Sequence, residues 1–435
     1  EKKMGLNITI LLLTFLILLF IGMPIAFALG LPGLVYLLMQ GGSVSIVNLP
    51  HSMTTPLFSY VLIALPAFLL SGRMMNSAGV TTRLFDAALA IVGRFKGGLA
   101  YANVVASMMF ASMSGTAVGD TGGLGAIEMK MMNKAGYKKS FSAGITASSS
   151  VIGPLIPPSV AMVVLGASAG ISTGKLFLGG LIPGIIMGLA LMVSIFVQSR
   201  TTKEGKNWPV TKIPAKEIPI KLLKAVPALM SPVIIIGGIT TGIFTPTEAA
   251  IVAIDYSIIL GIIYKELTFK SFMQALKDAV ETSGTFMLII AIAGFFTWII
   301  TKEGLATVLQ NMLSPLYSAG PVFVLLVLAV ILVIVGCFMD TTAAILLITP
   351  IFMPIINNLG LDQVHFGVMM TVALISGIVT PPFGICLFVM SDVSGLPVSS
   401  VTKECAKYLP AMFLVLLLII FCPALSTWLP NLFYS

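Results

Sequence analysis

Charge is what this chain has least of. Only 9% of its 435 residues are Asp, Glu, Lys or Arg. A soluble domain carries about 25%, so a water-solvated exterior is excluded. Histidine occurs twice, as His51 and His365, far apart in the chain, which leaves no basis for a histidine-built metal site. The four cysteines (Cys337, Cys386, Cys405, Cys422) show no C-x-x-C spacing and lie in or beside apolar segments. They read as small hydrophobes rather than redox or metal groups. No Gly-rich phosphate loop with a following Lys, no Ser/His/Asp set and no His/Cys cluster is found. The chain is therefore expected to be no enzyme and to need no organic cofactor. Any work it does must draw on an ion gradient or a partner.

Apolar residues make up 57% of the chain, and the mean hydropathy is +1.07. Leu6–Phe20, Val322–Val335 and Ala411–Cys422 carry no ionisable side chain except the last thiol. A spanning helix needs roughly 20 mostly apolar residues, and Gly and Pro are commoner in such helices than in soluble ones. With 41 Gly and 25 Pro, the expected fold is an all-α polytopic protein of the lipid bilayer. No Ala-x-Ala pattern follows the first apolar segment, which reads as a retained span. The net charge of +8 is concentrated: Gln198–Ala225 holds Arg200, Lys203, Lys206, Lys212, Lys216, Lys221 and Lys224 against Glu204 and Glu217. A polar linker of this kind belongs on the cytoplasmic side, and no nucleic-acid partner is needed to explain it.

The chain also repeats itself. Gly153-Pro-Leu-Ile-Pro-Pro158 is echoed by Gly377-Ile-Val-Thr-Pro-Pro382, Met113–Ala117 by Met339–Ala343, and Leu181-Ile-Pro183 by Tyr408-Leu-Pro410. The three matches keep one order and nearly one offset, as a duplicated unit requires. After the first match-bearing patch, Glu128–Phe141 contains Lys130, Lys134, Lys138 and Lys139, whereas Pro354–Phe366 has no Lys or Arg and one acid, Asp362. Positive-inside bias puts these turns on opposite sides. The repeats read as inverted, an arrangement that holds a solute near mid-membrane between broken helices. Met4–Met39 is long enough for two short spans broken at Gly22-Met-Pro24, and Val80–Phe95 suits an interfacial amphipathic helix with Glu303–Leu313 as its counterpart.

Met109–Gly125 (MFASMSGTAVGDTGGLG) is too apolar to leave the membrane and too rich in Gly, Ser and Thr for a plain span. Non-helical backbone survives at that depth only where protein or water satisfies it, so a re-entrant hairpin with its tip at Ser112–Thr116 is expected. Ala147–Ser159 and Leu374–Pro382 each end in a Pro-Pro pair, which breaks a helix and frees carbonyls one turn earlier. Carbonyls and hydroxyls form sodium cages, and helix N-termini hold carboxylates. Two quasi-equivalent Na+ sites follow: Ser112, Ser114, Ser150, Gly153 and Pro154 in one half, and Asp340, Thr342, Ser376, Gly377 and Thr380 in the other. The solute is expected between the tips, near Ser114, Thr116, Ser159 and Asp340. Asp340 is the sharpest candidate, since an intramembrane carboxylate costs roughly 2.5–3.5 kcal/mol on insertion scales; its counterpart, Ser114, is neutral. Asp120 and Glu128 are expected to flank the first hairpin at the water boundary. Glu248 and Asp255, two turns apart on one helix face, suit a scaffold or subunit contact.

MFASMSGTAVGDTGGLGAIEMK, SVIGPLIPPSVAMVVLGASAGISTGKLFLGGLIPG, TGIFTPTEAA, FMDTTAAILLITP and GIVTPPFGICLFV resemble the large membrane subunit of tripartite ATP-independent periplasmic (TRAP) transporters over nearly the whole chain. GDTGG (Gly119–Gly123) departs from the alanine-rich version of that motif. The resemblance implies a sodium-driven importer of organic acids in the bacterial inner membrane, working as an elevator. It implies a small four-helix membrane subunit and a periplasmic substrate-binding protein as partners. The implied layout is 1–78 scaffold, 79–97 interfacial arm, 98–197 first transport half and 198–225 cytoplasmic linker. Then come 226–300 scaffold, 301–318 second arm, 319–408 second transport half and 409–435 terminal span. The expected solute is a carboxylate of the sialic acid or C4-dicarboxylate class. With no Arg among the expected site residues, hydroxyls and backbone donors are expected to bind it. A stand-alone divalent-anion/sodium symporter is the nearest alternative; an intramembrane enzyme or an ion channel fits less well.

Overall fold

The computed structural model describes every residue except Glu1, 41–44, Lys212, Ala306, 312–319 and Ser435. The described residues contain helices and no strand. Among the described residues, six helices are long and apolar enough to cross a membrane, or up to nine if each bent pair counts as one span. Large apolar side chains stand outside: Leu189 is 51% and Val193 60% exposed. In water such a surface is unfavourable by about 25 cal/mol per Å²; against lipid tails it is not.

The chain opens with α1 (Lys2–Phe20) and α2 (Ile25–Met39), separated where Gly22 takes φ 84°. Next come α3 (Asn48–Thr54), α4 (Ala64–Ser77) and α5 (Val80–Val92). α5 is the expected arm. It packs on both the next helix and the helix Glu217–Thr240, and its charges are paired, Arg83 with Glu266 at 2.7 Å and Asp86 with Lys221 at 3.3 Å. Of its expected counterpart, residues 307–311 are helical, and the rest of 301–318 from 312 onward lies outside the described residues.

Two series of elements then follow the same order. The first is α6 (Gly98–Ser114), a tip, α7 (Ala117–Gly122), α8 (Leu124–Lys134), α9 (Lys139–Ser149), a break, α10 (Val160–Ala169) and α11 (Thr173–Thr201). After α12 (Glu217–Thr240), α13 (Pro246–Ile263) and α14 (Phe269–Lys302) comes the second. It runs α15 (Pro321–Phe338), a tip, α16 (Thr341–Asn358), α17 (Gln363–Gly377), a break and α18 (Ile385–Ser394). The chain ends with α19 (Val398–Cys405), α20 (Leu409–Phe421) and α21 (Ala424–Phe433). Contacts between the series are reciprocal. In each, the first hairpin arm packs on the helix before the break (α6 on α9, α15 on α17). The helix after each break packs on the returning arm of the other series (α10 on α16, α18 on α7).

Local chemistry sets these boundaries. Pro154, Pro157 and Pro158 have no N–H to donate, and neither do Pro381 and Pro382, so α9 and α17 cannot continue. Both Pro-Pro bonds are cis. The helices after both tips and after the first break are restarted by side-chain caps: Thr116 accepts from Gly119 N at 3.2 Å, Ser159 from Met162 N at 3.2 Å and Asp340 from Thr342 N at 2.8 Å. Elsewhere, Thr245 and Glu248 close a reciprocal capping box at the start of α13. The linker is not loose: Trp208 is buried, its ring 4.4 Å from that of Phe141.

Candidate functional site

Each break is tied to its own hairpin by one backbone bond. Val160 N donates to Gly115 O at 3.2 Å in the first series, and Gly384 N to Cys337 O at 2.8 Å in the second. The tips are built alike too. Thr116 N donates to Ser114 Oγ at 3.4 Å, as Thr342 N does to the Asp340 carboxylate. Close approach depends on glycine. A Cβ on Gly115 would lie 2.7 Å from Pro158 O, and one on Gly377 would lie 2.5 Å from Val333 O.

A cavity of about 330 Å³ contains Ser114, Thr116 and Asp340, so residues of both tips share one space. Arg73 and Asn76 of α4 and Thr282 of α14 line its other side. Gly72 explains how α4 comes so near: a Cβ there would sit 2.6 Å from Met113 O. Arg73 is the cationic group the sequence reading did not place here. It lies 4.0 Å from Asp278 and is half exposed, so its guanidinium remains available. No local motif announces it, since it stands 41 positions before Ser114.

A second cavity, of about 690 Å³, is lined by Leu62, Ser168, Ile290, Trp298 and Leu346. Helix α14 lines both spaces at different heights, with Phe286 on one and Ile290 on the other, while Asp340 at the start of α16 faces the first and Leu346 within it the second. The two cavities therefore approach one packed layer from opposite ends. The Asp340 cavity lies at the C-terminal end of α4, which leads into α5 and its ion pairs to Glu266 and Lys221. That is the side bearing the basic linker.

Around the first break, Thr121 donates to Ser150 Oγ at 2.7 Å, and Ser150 to Ala147 O at 2.8 Å. A Cβ on Gly153 would meet Asp120 Oδ2 at 2.7 Å and Thr116 O at 3.1 Å. The Ser114 hydroxyl donates to the other oxygen of Asp120. Asp120 Oδ2 is buried without a hydrogen-bond partner. The expectation that Asp120 and Glu128 sit at the water boundary is thus overturned: they are 2% and 1% exposed. The break at Gly123 turns the returning arm so that both acids face inward. Glu128 accepts from Asn103 Nδ2 at 2.7 Å, and Asn103 also holds Thr146 at 2.8 Å and Ser149 at 2.7 Å. This network clamps α6, α8 and α9 together.

The other expected ligands are placed as follows. Ser112 turns back to Met109 O at 2.6 Å, Ser376 to Val372 O at 2.8 Å and Thr380 to Ser376 O at 2.6 Å. Ser159 is fully buried, donates to Pro154 O at 2.6 Å and does not line the shared cavity. Thr341 Oγ1, beside Asp340, is buried and unpartnered. Among the described residues, neither Asp120 nor Asp340 pairs with a Lys, Arg or His. A buried anion without a counter-charge is strongly disfavoured, and oxygen-rich surroundings suit a hard monovalent cation.

A family model described as the DctM component of tripartite ATP-independent periplasmic transporters matches residues 12–425. The sialic acid TRAP transporter large permease protein SiaM of Vibrio cholerae is 39% identical, over 96% of both chains. The C4-dicarboxylate TRAP transporter large permease protein DctM of Pseudomonas aeruginosa is 38% identical, over 86% of both. Among solved structures, the YdaH transporter of Alcanivorax borkumensis shares the fold with a TM-score of 0.59 at 14% identity, covering 89% of this chain and 91% of that one.

Proposed function

The chain belongs to the family of the DctM component of tripartite ATP-independent periplasmic transporters, and from that premise we propose that it imports a carboxylate-bearing organic acid together with sodium. The observation that carries this reading is the shared cavity. Hydroxyls of one tip, the carboxylate of the other and the Arg73 guanidinium surround a single space of about 330 Å³. An anion enters it only if the negative charge of Asp340 is offset, and a bound Na+ supplies that offset; this is the physical basis of coupling. In this reading Asp120 joins Ser114, Ser150 and Gly153 in the first ion site, and Asp340, Thr341 and Thr342 form the core of the second.

Arg73 offers a planar two-donor fork to the solute carboxylate, while Ser114 and Thr116 take its hydroxyls. The cavity faces the side of the basic linker, so by the positive-inside rule the fold is open towards the cytoplasm. Moving the two hairpins and breaks as one body past α4 and α14 then exchanges the openings, as in an elevator. The related permeases are named for sialic acid and for C4-dicarboxylates, and that is the solute class proposed here. The working assembly includes a small four-helix membrane subunit and a periplasmic binding protein, in the bacterial inner membrane.

Proteoliposomes test this. The chain reconstituted with both partners should accumulate the acid only down an inward sodium gradient, and the chain alone should not. Uptake without the binding protein would favour the stand-alone symporter instead.

A further inference from the structure

At the far end of α11 lies another built space, outside the transport site. It has a volume of about 370 Å³ and is lined by Phe95, Lys96, Tyr101, Phe196, Arg200 and Lys206. Three cations from three separate segments converge there, and no acid is among the lining residues. Among the described residues none of Lys96, Arg200 and Lys206 forms an ion pair. The acid nearest in sequence, Glu204, is engaged with Lys138 at 2.9 Å. Aromatic rings wall the space: Arg200 lies 4.8 Å over the Phe196 ring, and the Phe95 ring meets that of Tyr101 at 6.2 Å.

The walls are fixed. Thr211 N donates to Gly93 O at 3.2 Å, Lys206 N to Thr202 O at 3.1 Å and Gly97 N to Pro209 O at 3.4 Å. The linker is thereby folded back against the end of α5. From the cationic space an apolar stripe runs away along one face of α11. Ile185, Leu189, Val193 and Val197 follow at four-residue spacing, and all are exposed. The feature has a charged end and an apolar track of helical pitch, and it stands where the apolar helix α11 runs into the basic linker.

We propose that this space binds the headgroup of an anionic phospholipid of the cytoplasmic leaflet, with its acyl chain laid along the exposed face of α11. Charge complementarity and the adjoining apolar stripe select that occupant. The cytoplasmic leaflet is the anionic one, and Lys and Arg near its surface are attracted to it. A bound lipid would join the α5–α6 junction to the α11–linker junction, across the boundary between arm and transport half.

The test uses native mass spectrometry on the full chain, alone and with its small membrane subunit, in neutral detergent with added dioleoylphosphatidylglycerol or dioleoylphosphatidylcholine. The wild type should retain phosphatidylglycerol with a preference of about tenfold or more over phosphatidylcholine. The triple variant K96Q/R200Q/K206Q should lose that preference, while K203Q/K216Q/K224Q, which removes as much charge from the same linker region, should keep it. All six side chains are exposed, and circular dichroism checks that both variants fold. Equal retention by the first variant, or equal loss in the second, would overturn the assignment. So would displacement of the lipid by the small subunit, which would make the face a subunit contact. Glycerol 1-phosphate binding as tightly as the lipid would likewise sink it, because the ligand would then be a free anion.

Discussion

The Ser114 hydroxyl donates to the Asp120 carboxylate, joining the tip of the first hairpin to the first turn of its returning arm. In the second hairpin the residue matching Ser114 is itself a carboxylate, Asp340. Each half thus brings one carboxyl group to its tip, by different residues. In the proposed function, that equivalence would give two cation sites of like charge from two unlike sequences.

Replacing Asp120 by Asn keeps the shape and an acceptor for Ser114 but removes the charge. The sodium concentration for half-maximal uptake should rise about tenfold or more, equivalent to about 1.4 kcal/mol of lost binding. Asp340→Asn should act more severely, because that side chain also lines the shared cavity proposed to hold the solute. Initial rates over a sodium series in proteoliposomes report both. Unchanged sodium dependence in Asp120→Asn removes Asp120 from the ion site.

Gly153→Ala probes the same site through packing. The added methyl would meet Asp120 Oδ2 at 2.7 Å and Thr116 O at 3.1 Å, and overpacking of this kind costs about 1–3 kcal/mol. Uptake should fall and its sodium requirement rise. Gly284→Ala in α14, where nothing lies within 4 Å, should leave transport intact and stabilise the helix by up to about 1 kcal/mol. Thermal unfolding monitored by tryptophan fluorescence separates the two. Wild-type sodium affinity in Gly153→Ala would count against the proposed ion cage.

What the sequence disclosed was the punctuation. Pro-Pro pairs and Gly/Ser/Thr-rich patches inside apolar runs betray broken helices whatever the tertiary fold, because the missing N–H and the extra hydroxyls are local facts. Arg73 and the Asn103–Glu128 clamp are not local: they depend on α4 crossing the tip at Gly72 and on α6 meeting α8. Asp120 was legible in principle. The rule that singles out Asp340, an acid inside a membrane-depth segment, applies to it equally. Its burial depends on the turn at Gly123, which folds the returning arm inward and has no signal in the local sequence.

Arg73→Gln should weaken the solute without touching the ions. A charged two-point contact to a carboxylate contributes roughly 1.5–3 kcal/mol, so the KM for uptake should increase about tenfold or more while the sodium dependence stays put. Arg73→Lys should recover only part of the loss, because a point charge cannot reproduce the fork. An unchanged KM in Arg73→Gln would return solute binding to the hydroxyls and backbone alone.

The inverted arrangement is open to a direct test through Lys138 and Gln363. Lys138 precedes α9 and Gln363 opens α17, the matching helix of the other series. Both are exposed, and using Gln363 spares Asp362, whose carboxylate caps α17 by accepting from His365 N at 2.8 Å. Cys422 is the exposed native thiol, with Cys337, Cys386 and Cys405 buried, so replacing the four by Ala or Ser gives a clean background. In right-side-out vesicles a membrane-impermeant maleimide should then label Gln363→Cys and not Lys138→Cys, and inverted vesicles should reverse the result. If both positions react from one side, the two series run parallel. The ion-coupled reading would then lose its pair of opposed helix breaks, since two parallel hairpins cannot present their tips to each other at one depth.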